Sequence, residues 1–288
     1  MRVGLALGAG GPLGWAFHLG VLDGCRAVGH DPSSVDRIVG TSAGAAVASS
    51  MLAGADTETV LSAVTTGPTP EERKRFQEAV TTLRRRPWRL LKPVAPGALT
   101  KWRPEKGVRP FLGLAPNGIF PTFSLRRFPG VVDLEPWPAS LWITTVDVDT
   151  GDVEVFGRDR FDVAVIDAME ASGAVPAMFE PKEIDGRRFI DGAVASSTHA
   201  DLLAHDDCDV VLVSSPMTRP GNGLVRQRAR RQLGAEVRAL ERSGARVLVL
   251  EPDEDLMAIA DGFPRSRPEA GLAIASKAAE MVERAFEG

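Results

Sequence analysis

The 288-residue chain has no tyrosine, only two cysteines and four histidines, and a formal charge of just −4. The missing tyrosine, like the preference for arginine among the basic residues, is compositional and says nothing about chemistry. Cys25 and Cys208 are too few and too far apart for a disulfide framework or a metal-ligand cluster, so no metal is expected and a reducing compartment is the default. A charge this close to neutral argues against nucleic acid as a partner. Convincing membrane spans are lacking as well. Residues 3–22 are uncharged, but they hold six glycines, Pro12 and His18, which weaken the backbone ladder that lipid requires to be complete. Neither a signal peptide nor a transmembrane segment is read, and internal repeats are absent. The expectation is a soluble, cytoplasmic protein.

What the chain does have is core-forming material: 44% of its residues are hydrophobic, enough for a single α/β domain over 1–288. "VGLAL" (3–7) reads as a buried strand that ends in a glycine cluster, and "WAFHLGVLDGCRA" (15–27) resumes with helical spacing. "DRIVGTSAGAAVASSMLAG" repeats that plan. Two such units close together predict parallel βαβ winding, hence a three-layer sandwich around a parallel-rich sheet. "SLWITTVDV" and "DVEVFG" flank the hairpin signal Asp149-Thr150-Gly151. "CDVVLVSS" and "ARVLVL" read as further buried strands, and Leu272, Ala275, Ala279, Val282 and Phe286 as the docking face of a C-terminal helix.

Residues 57–135 break the rhythm. Within 71–109 twelve Lys/Arg face four Glu, a balance of +8, so the rest of a chain totalling −4 carries −12. Phe76, Val80 and Leu83 provide one apolar helical face. The segment is expected to be an insertion or lid over the core. Trp88, Leu91 and Trp102 lie among Arg84, Arg85, Arg86, Arg89, Lys92 and Lys101, which makes 71–109 a candidate for peripheral contact with an anionic membrane. The plainer alternative is a solvated basic face that pairs with the acidic remainder.

In "RIVGTSAGAAVA" (37–48), Ser42 stands between Gly40 and Gly44 at a strand-to-helix turn. Such an elbow exposes the hydroxyl, lets a substrate approach closely over glycine, and offers the positive end of the following helix. The alternative is a glycine-rich packing turn. "GAGGPLG" (8–14) likewise ends a strand and opens a helix, so its backbone N–H groups can converge on an oxyanion. It is not a dinucleotide fingerprint, because the third glycine would have to stand where Leu13 does. Activating a serine requires a base. His18 and His30 lie upstream of Ser42, leaving His199 and His205 as triad candidates, neither in a glycine-marked turn. "RRFIDGAVASS" offers Asp191 at a strand end, where burial would raise its basicity, although Asp-Gly is also a common turn.

Together and in this order, "LGAGGPLGWAFHLGVL", "GTSAG", "ASGAVPAMFEP" and "DGA" resemble the patatin-like phospholipases over roughly 2–55 and 140–215. The resemblance implies a cofactor-free Ser-Asp dyad in which Ser42 attacks an ester carbonyl and Asp191 takes its proton. It also implies Gly8, Gly10 and Gly11 as the oxyanion loop. It places 171–181 beside the dyad, where Pro176, Met178 and Phe179 would line an acyl channel or simply pack. The chain departs from the family pattern at Leu13, where many members carry Arg or Lys, and at Ala193, where they carry glycine. The implied activity is hydrolysis of lipid acyl esters of the phospholipase or lysophospholipase type. Hydrolysis of small soluble esters or thioesters, and catalytically weak lipid binding, are the alternatives. Oligomeric state is not legible.

Overall fold

The computed structural model describes residues 1–66, 70–85, 118, 120, 122, 126, 128–131, 134–219, 223–260 and 268–287. Arg86, Trp88, Arg89, Leu91, Lys92, Lys101 and Trp102 of the basic segment lie outside the described residues, as do the side chains of Phe76, Leu83 and Arg84. The described chain runs β1 (Val3–Leu7), α1 (Gly11–Ala27), β2 (Arg37–Gly40), α2 (Ala43–Leu52), α3 (Thr57–Thr65), α4 (Pro70–Arg85), β3 (Leu141–Asp147) and β4 (Val153–Phe156). It continues with α5 (Val165–Ser172), β5 (Lys182–Ile184), β6 (Arg187–Asp191), β7 (Val210–Ser214), α6 (Leu224–Arg242), β8 (Arg246–Leu250), α7 (Glu254–Ala260) and α8 (Pro268–Glu287).

The strands form one sheet in the order β5-β6-β3-β2-β1-β7-β8, with β4 also paired to β3. Neighbours from β3 through β8 in that order are parallel, while β4, β5 and β6 form the antiparallel side. Strand periodicity sends alternate side chains to opposite faces. Leu5, Leu7, Ile38 and Leu212 therefore join a core shared with residues of α1, α2, α3, α5 and α8. Ala6, Val39, Val211 and Val213 join a second core with Leu233 and Leu240 of α6. Two cores on one mostly parallel sheet make the expected α/β sandwich.

The C-terminal helix docks on α1 through the middle of the face expected from its spacing, with Ala275, Ala279 and Val282 at the contact and the two outermost positions off it. Ile274, Ala275, Ala278 and Val282 are buried, whereas Leu272 and Phe286 are exposed. The reason lies in α1: a Cβ on Gly20 would sit 2.0 Å from the Ala275 carbonyl oxygen and one on Gly24 would sit 2.7 Å from that of Ala279. The two backbones approach closely, which selects the small-residue stripe of α8. The segment read as an insertion is anchored in the main core at both ends, by Val60 and Leu61 of α3 and by Phe128 and Val131. Phe128 also packs edge-on against Trp15, with ring centroids 5.3 Å apart. Among the described residues no helix is long and apolar enough to cross a membrane.

Candidate active site

β1 and β2 are adjacent parallel strands, and the turns at their carboxyl ends carry the glycine loop and Ser42 respectively. That edge of an open α/β sheet is where ligands characteristically bind. Ser42 has φ 54° and ψ −113°. A left-handed φ on a non-glycine residue costs of order 1–3 kcal/mol and persists only where the surroundings impose it. Here the Ser42 amide donates to Ser172 Oγ at 2.8 Å, and the Gly44 amide donates to the carbonyls of Thr41 (2.9 Å) and Gly8 (3.2 Å). Thr41 and Thr144 are joined through their hydroxyls at 2.8 Å. The flanking glycines are sterically required. A Cβ on Gly44 would lie 1.9 Å from the Leu7 carbonyl oxygen, and one on Gly40 would lie 2.6 Å from Ala45 Cα.

Asp191 ends β6 and is 2% exposed. Burial pushes its carboxyl up to about 6, against the opposing pull of the nearby Ser42 hydroxyl and of a hydrogen bond from the Ala193 amide. That bond measures 2.8 Å. Serine and aspartate, 149 positions apart in sequence, thus meet at one spot.

The three loop glycines differ in what their amides do. Gly8 N–H is committed to the Ser214 carbonyl at 3.0 Å, extending the β1–β7 ladder, while its own carbonyl accepts from Gly44 N–H and from His18 Nε2 at 2.6 Å. Gly10 and Gly11, at the N-terminus of α1, keep amides without an acceptor among the described residues. Leu13 packs, half-buried, against the main core. Because a carbonyl only accepts, His18 carries its proton on Nε2 and receives the Ser214 hydroxyl at Nδ1, 2.7 Å away. Burial lowers its pKa to about 4, so the ring is a neutral strut beneath the loop.

Among the described residues neither downstream histidine is hydrogen-bonded to Ser42. His199, buried and with φ 49°, donates from Nε2 to the Gly192 carbonyl at 3.0 Å, and His205 is exposed. Pro176, Met178 and Phe179 occupy the loop between α5 and β5. Met178 is 51% exposed, and Pro176 and Phe179 are half-buried. The loop pairs with the end of the 57–135 segment: Phe120 N–H donates to the Met178 carbonyl (3.0 Å) and Glu180 N–H to the Phe120 carbonyl (2.8 Å). Lys182 bridges Asp167 (2.7 Å) and Glu170, and Arg126 adds a 2.8 Å pair with Glu170. These ion pairs fix α5, whose last residue is Ser172. Among the described residues no group of His, Cys, Asp and Glu side chains is arranged to hold a metal ion.

Sequence reasoning missed Ser172 and the strut role of His18. Ser172 lay inside a quoted motif but had no feature to distinguish it from a helix-end serine.

An α/β sheet with a strained serine elbow at one strand end and a buried aspartate at another defines a class of serine-elbow proteins. Within that class the family is explicit: the profile of the patatin-like phospholipases matches residues 5–204, and the chain belongs to that family. It is similar to uncharacterized NTE family proteins of Mycobacterium tuberculosis and Mycobacterium bovis, at 29% identity over 216 residues, 74% of this chain. The chain spans about half (49%) of the length of those relatives. Among solved structures it matches VipD from Legionella pneumophila with a TM-score of 0.44 and 13% identity, over 99% of this chain and 66% of that one.

Proposed function

We propose that this chain is a lipid acyl hydrolase that works through an acyl-Ser42 intermediate with Asp191 as the only base. The observation that carries this reading is the placement of Ser42, on its strained elbow, beside the buried Asp191 carboxylate, which burial raises to about 6. At neutral pH such a carboxylate is ionised yet more basic than an exposed one, as a general base requires. Ser42 Oγ attacks the ester carbonyl carbon while its proton passes to Asp191. The tetrahedral oxyanion is met by the Gly10 and Gly11 amides and by the positive end of α1. Collapse expels the alcohol, which regains the proton from Asp191. Water, deprotonated by the same carboxylate, then cleaves the acyl-enzyme and releases the fatty acid.

Family membership supports a lipid ester as substrate, and the loop bearing Pro176, Met178 and Phe179 is the candidate wall for its acyl chain. The test is labelling with a fluorophosphonate and turnover of a short p-nitrophenyl ester beside phospholipid vesicles. The expected result is labelling at Ser42 alone and loss of both activities in Ser42→Ala. Labelling elsewhere, or a fully active Ser42→Ala, overturns the assignment. Turnover of the short ester without any release of fatty acid from vesicles would favour a small-ester hydrolase.

A further inference from the structure

Helix α6 lies on the sheet face opposite α1 and α2, and its buried stripe is Ala229, Leu233, Glu236 and Leu240. The steps of 4, 3 and 4 residues place a carboxylate in the middle of an apolar face. Glu236 is 5% exposed and forms no ion pair with a cation among the described residues. Its carboxylate accepts instead from three donors of one short segment: Ser196 Oγ to Oε1 at 2.5 Å, Thr198 Oγ1 to Oε2 at 2.5 Å and Ala200 N–H to Oε2 at 3.1 Å. A buried carboxylate without a cation is expensive unless its hydrogen bonds are complete. A carboxylate is also the side chain that can accept at both ends here, whereas an amide would present donors to one of them.

The gripped segment joins the two halves of the site. At its start, the Gly192 carbonyl, next to Asp191, accepts from Ala195 N–H (2.9 Å) and Ser196 N–H (3.2 Å). In its middle, the Ser197 carbonyl accepts Ala9 N–H at 2.7 Å, directly ahead of the Gly10 and Gly11 amides. Ser196 Oγ is the hub, since it also accepts from the amides of Thr198 (3.3 Å) and His199 (3.2 Å) while giving its own proton to Glu236. One turn earlier on α6, Gln232 holds the Ala195 carbonyl at 2.9 Å.

We infer that Glu236 is a positioning residue for the reaction proposed above: through residues 196–200 it sets the distance between the Asp191 turn and the oxyanion-binding glycine loop. The inference rests on that reading of the site. It predicts a defect in the chemical step rather than in substrate binding, because Glu236 touches neither the serine nor the ester.

The experiment compares wild type, Glu236→Gln and Ser196→Ala in the full chain. Thermal unfolding, kcat and KM on a short p-nitrophenyl ester, and the limiting rate of Ser42 modification by a fluorophosphonate are measured. For both variants kcat and the limiting labelling rate are expected to fall about ten-fold or more, with KM changed less than two-fold and a cooperative unfolding transition retained. Rates within two-fold of wild type in a cooperatively folded Glu236→Gln overturn the inference and leave Glu236 a structural acceptor. So does a KM that rises while kcat holds. If Glu236→Gln does not fold, Ser196→Ala decides alone by the same criteria. Failure of the wild type to be labelled at Ser42 overturns the underlying catalytic reading instead, and this inference with it.

Discussion

Ser172 Oγ accepts the amide N–H of Ser42 at 2.8 Å, so the last residue of α5 holds the backbone of the elbow in its left-handed conformation. Ser172 is fully buried and Ser42 is half-buried. Ser172→Ala leaves the Ser42 amide without its partner, which costs about 1–3 kcal/mol, and lets the elbow relax. The expected outcome is a lowered Tm together with a reduced kcat. Scanning calorimetry and ester turnover check it, and wild-type values for both would show that the elbow is held by its other bonds alone.

The raised carboxyl of Asp191 ties activity and stability to pH in opposite senses. Turnover of a short ester is expected to rise with pH through a midpoint near 6, as the base ionises. Because the folded pKa lies above the ordinary value of 3.8, the folded state holds this proton more tightly than the unfolded state does. Its contribution to stability is therefore present at low pH and lost as pH rises through about 6. Asp191→Asn, which carries no charge to bury, should lose orders of magnitude in kcat yet unfold at a higher temperature than wild type at pH 8. The gain is at most about 3 kcal/mol for a shift of roughly two units. His205→Ala, at an exposed position, should leave the pH profile unchanged. If the acid limb moves with His205 or His199 instead, the base is a histidine.

Gly44→Ala tests the steric argument for the elbow. The new Cβ would lie 1.9 Å from the Leu7 carbonyl oxygen and 2.7 Å from Leu7 Cβ, with buried strand on one side and α2 on the other. Neither can yield without moving the sheet. The expected outcome is failure to accumulate folded protein, or a loss of several kcal/mol in chemical denaturation. A variant of near wild-type stability would mean that α2 can shift away from β1.

The basic segment offers a prediction read from sequence. Its balance of +8 and the neighbouring tryptophans suit an anionic leaflet, where each basic residue contributes about 1 kcal/mol. Replacing Arg84, Arg85, Arg86 and Arg89 with Gln should weaken cosedimentation with phosphatidylglycerol-containing vesicles and flatten its salt dependence. Hydrolysis of a short soluble ester should stay the same. Equal, salt-insensitive binding by both proteins would reduce the segment to a solvated face.

Local pattern was enough for the parts of this protein that depend on neighbours in sequence. The apolar run 3–7 and the pair Ile38-Val39 announced parallel strands, because a strand buried on both faces is apolar along its buried length. Gly40 and Gly44 marked the elbow, because only glycine tolerates the backbone contacts found there. Asp191 was legible locally only as a strand-end carboxylate or a common Asp-Gly turn, and it was the resemblance of the four motifs taken together that implied its role as base. Tertiary structure decided what depends on approach between distant segments. Close approach of α1 and α8 at Gly20 and Gly24 centred the docking face on Ala275, Ala279 and Val282 and left Leu272 and Phe286 at its exposed margin. Pairing of β1 with β7 committed the Gly8 amide to Ser214 and left Gly10 and Gly11 as the loop's open donors. Ser172 and Glu236 became visible only in three dimensions, since a hydrogen bond across 130 residues (Ser42–Ser172), or 40 (Ser196–Glu236), leaves no periodic trace in the chain. In Glu236 a faint sign was present, a charge on the apolar stripe of α6, but its meaning depended on the three donors that folding brought to it.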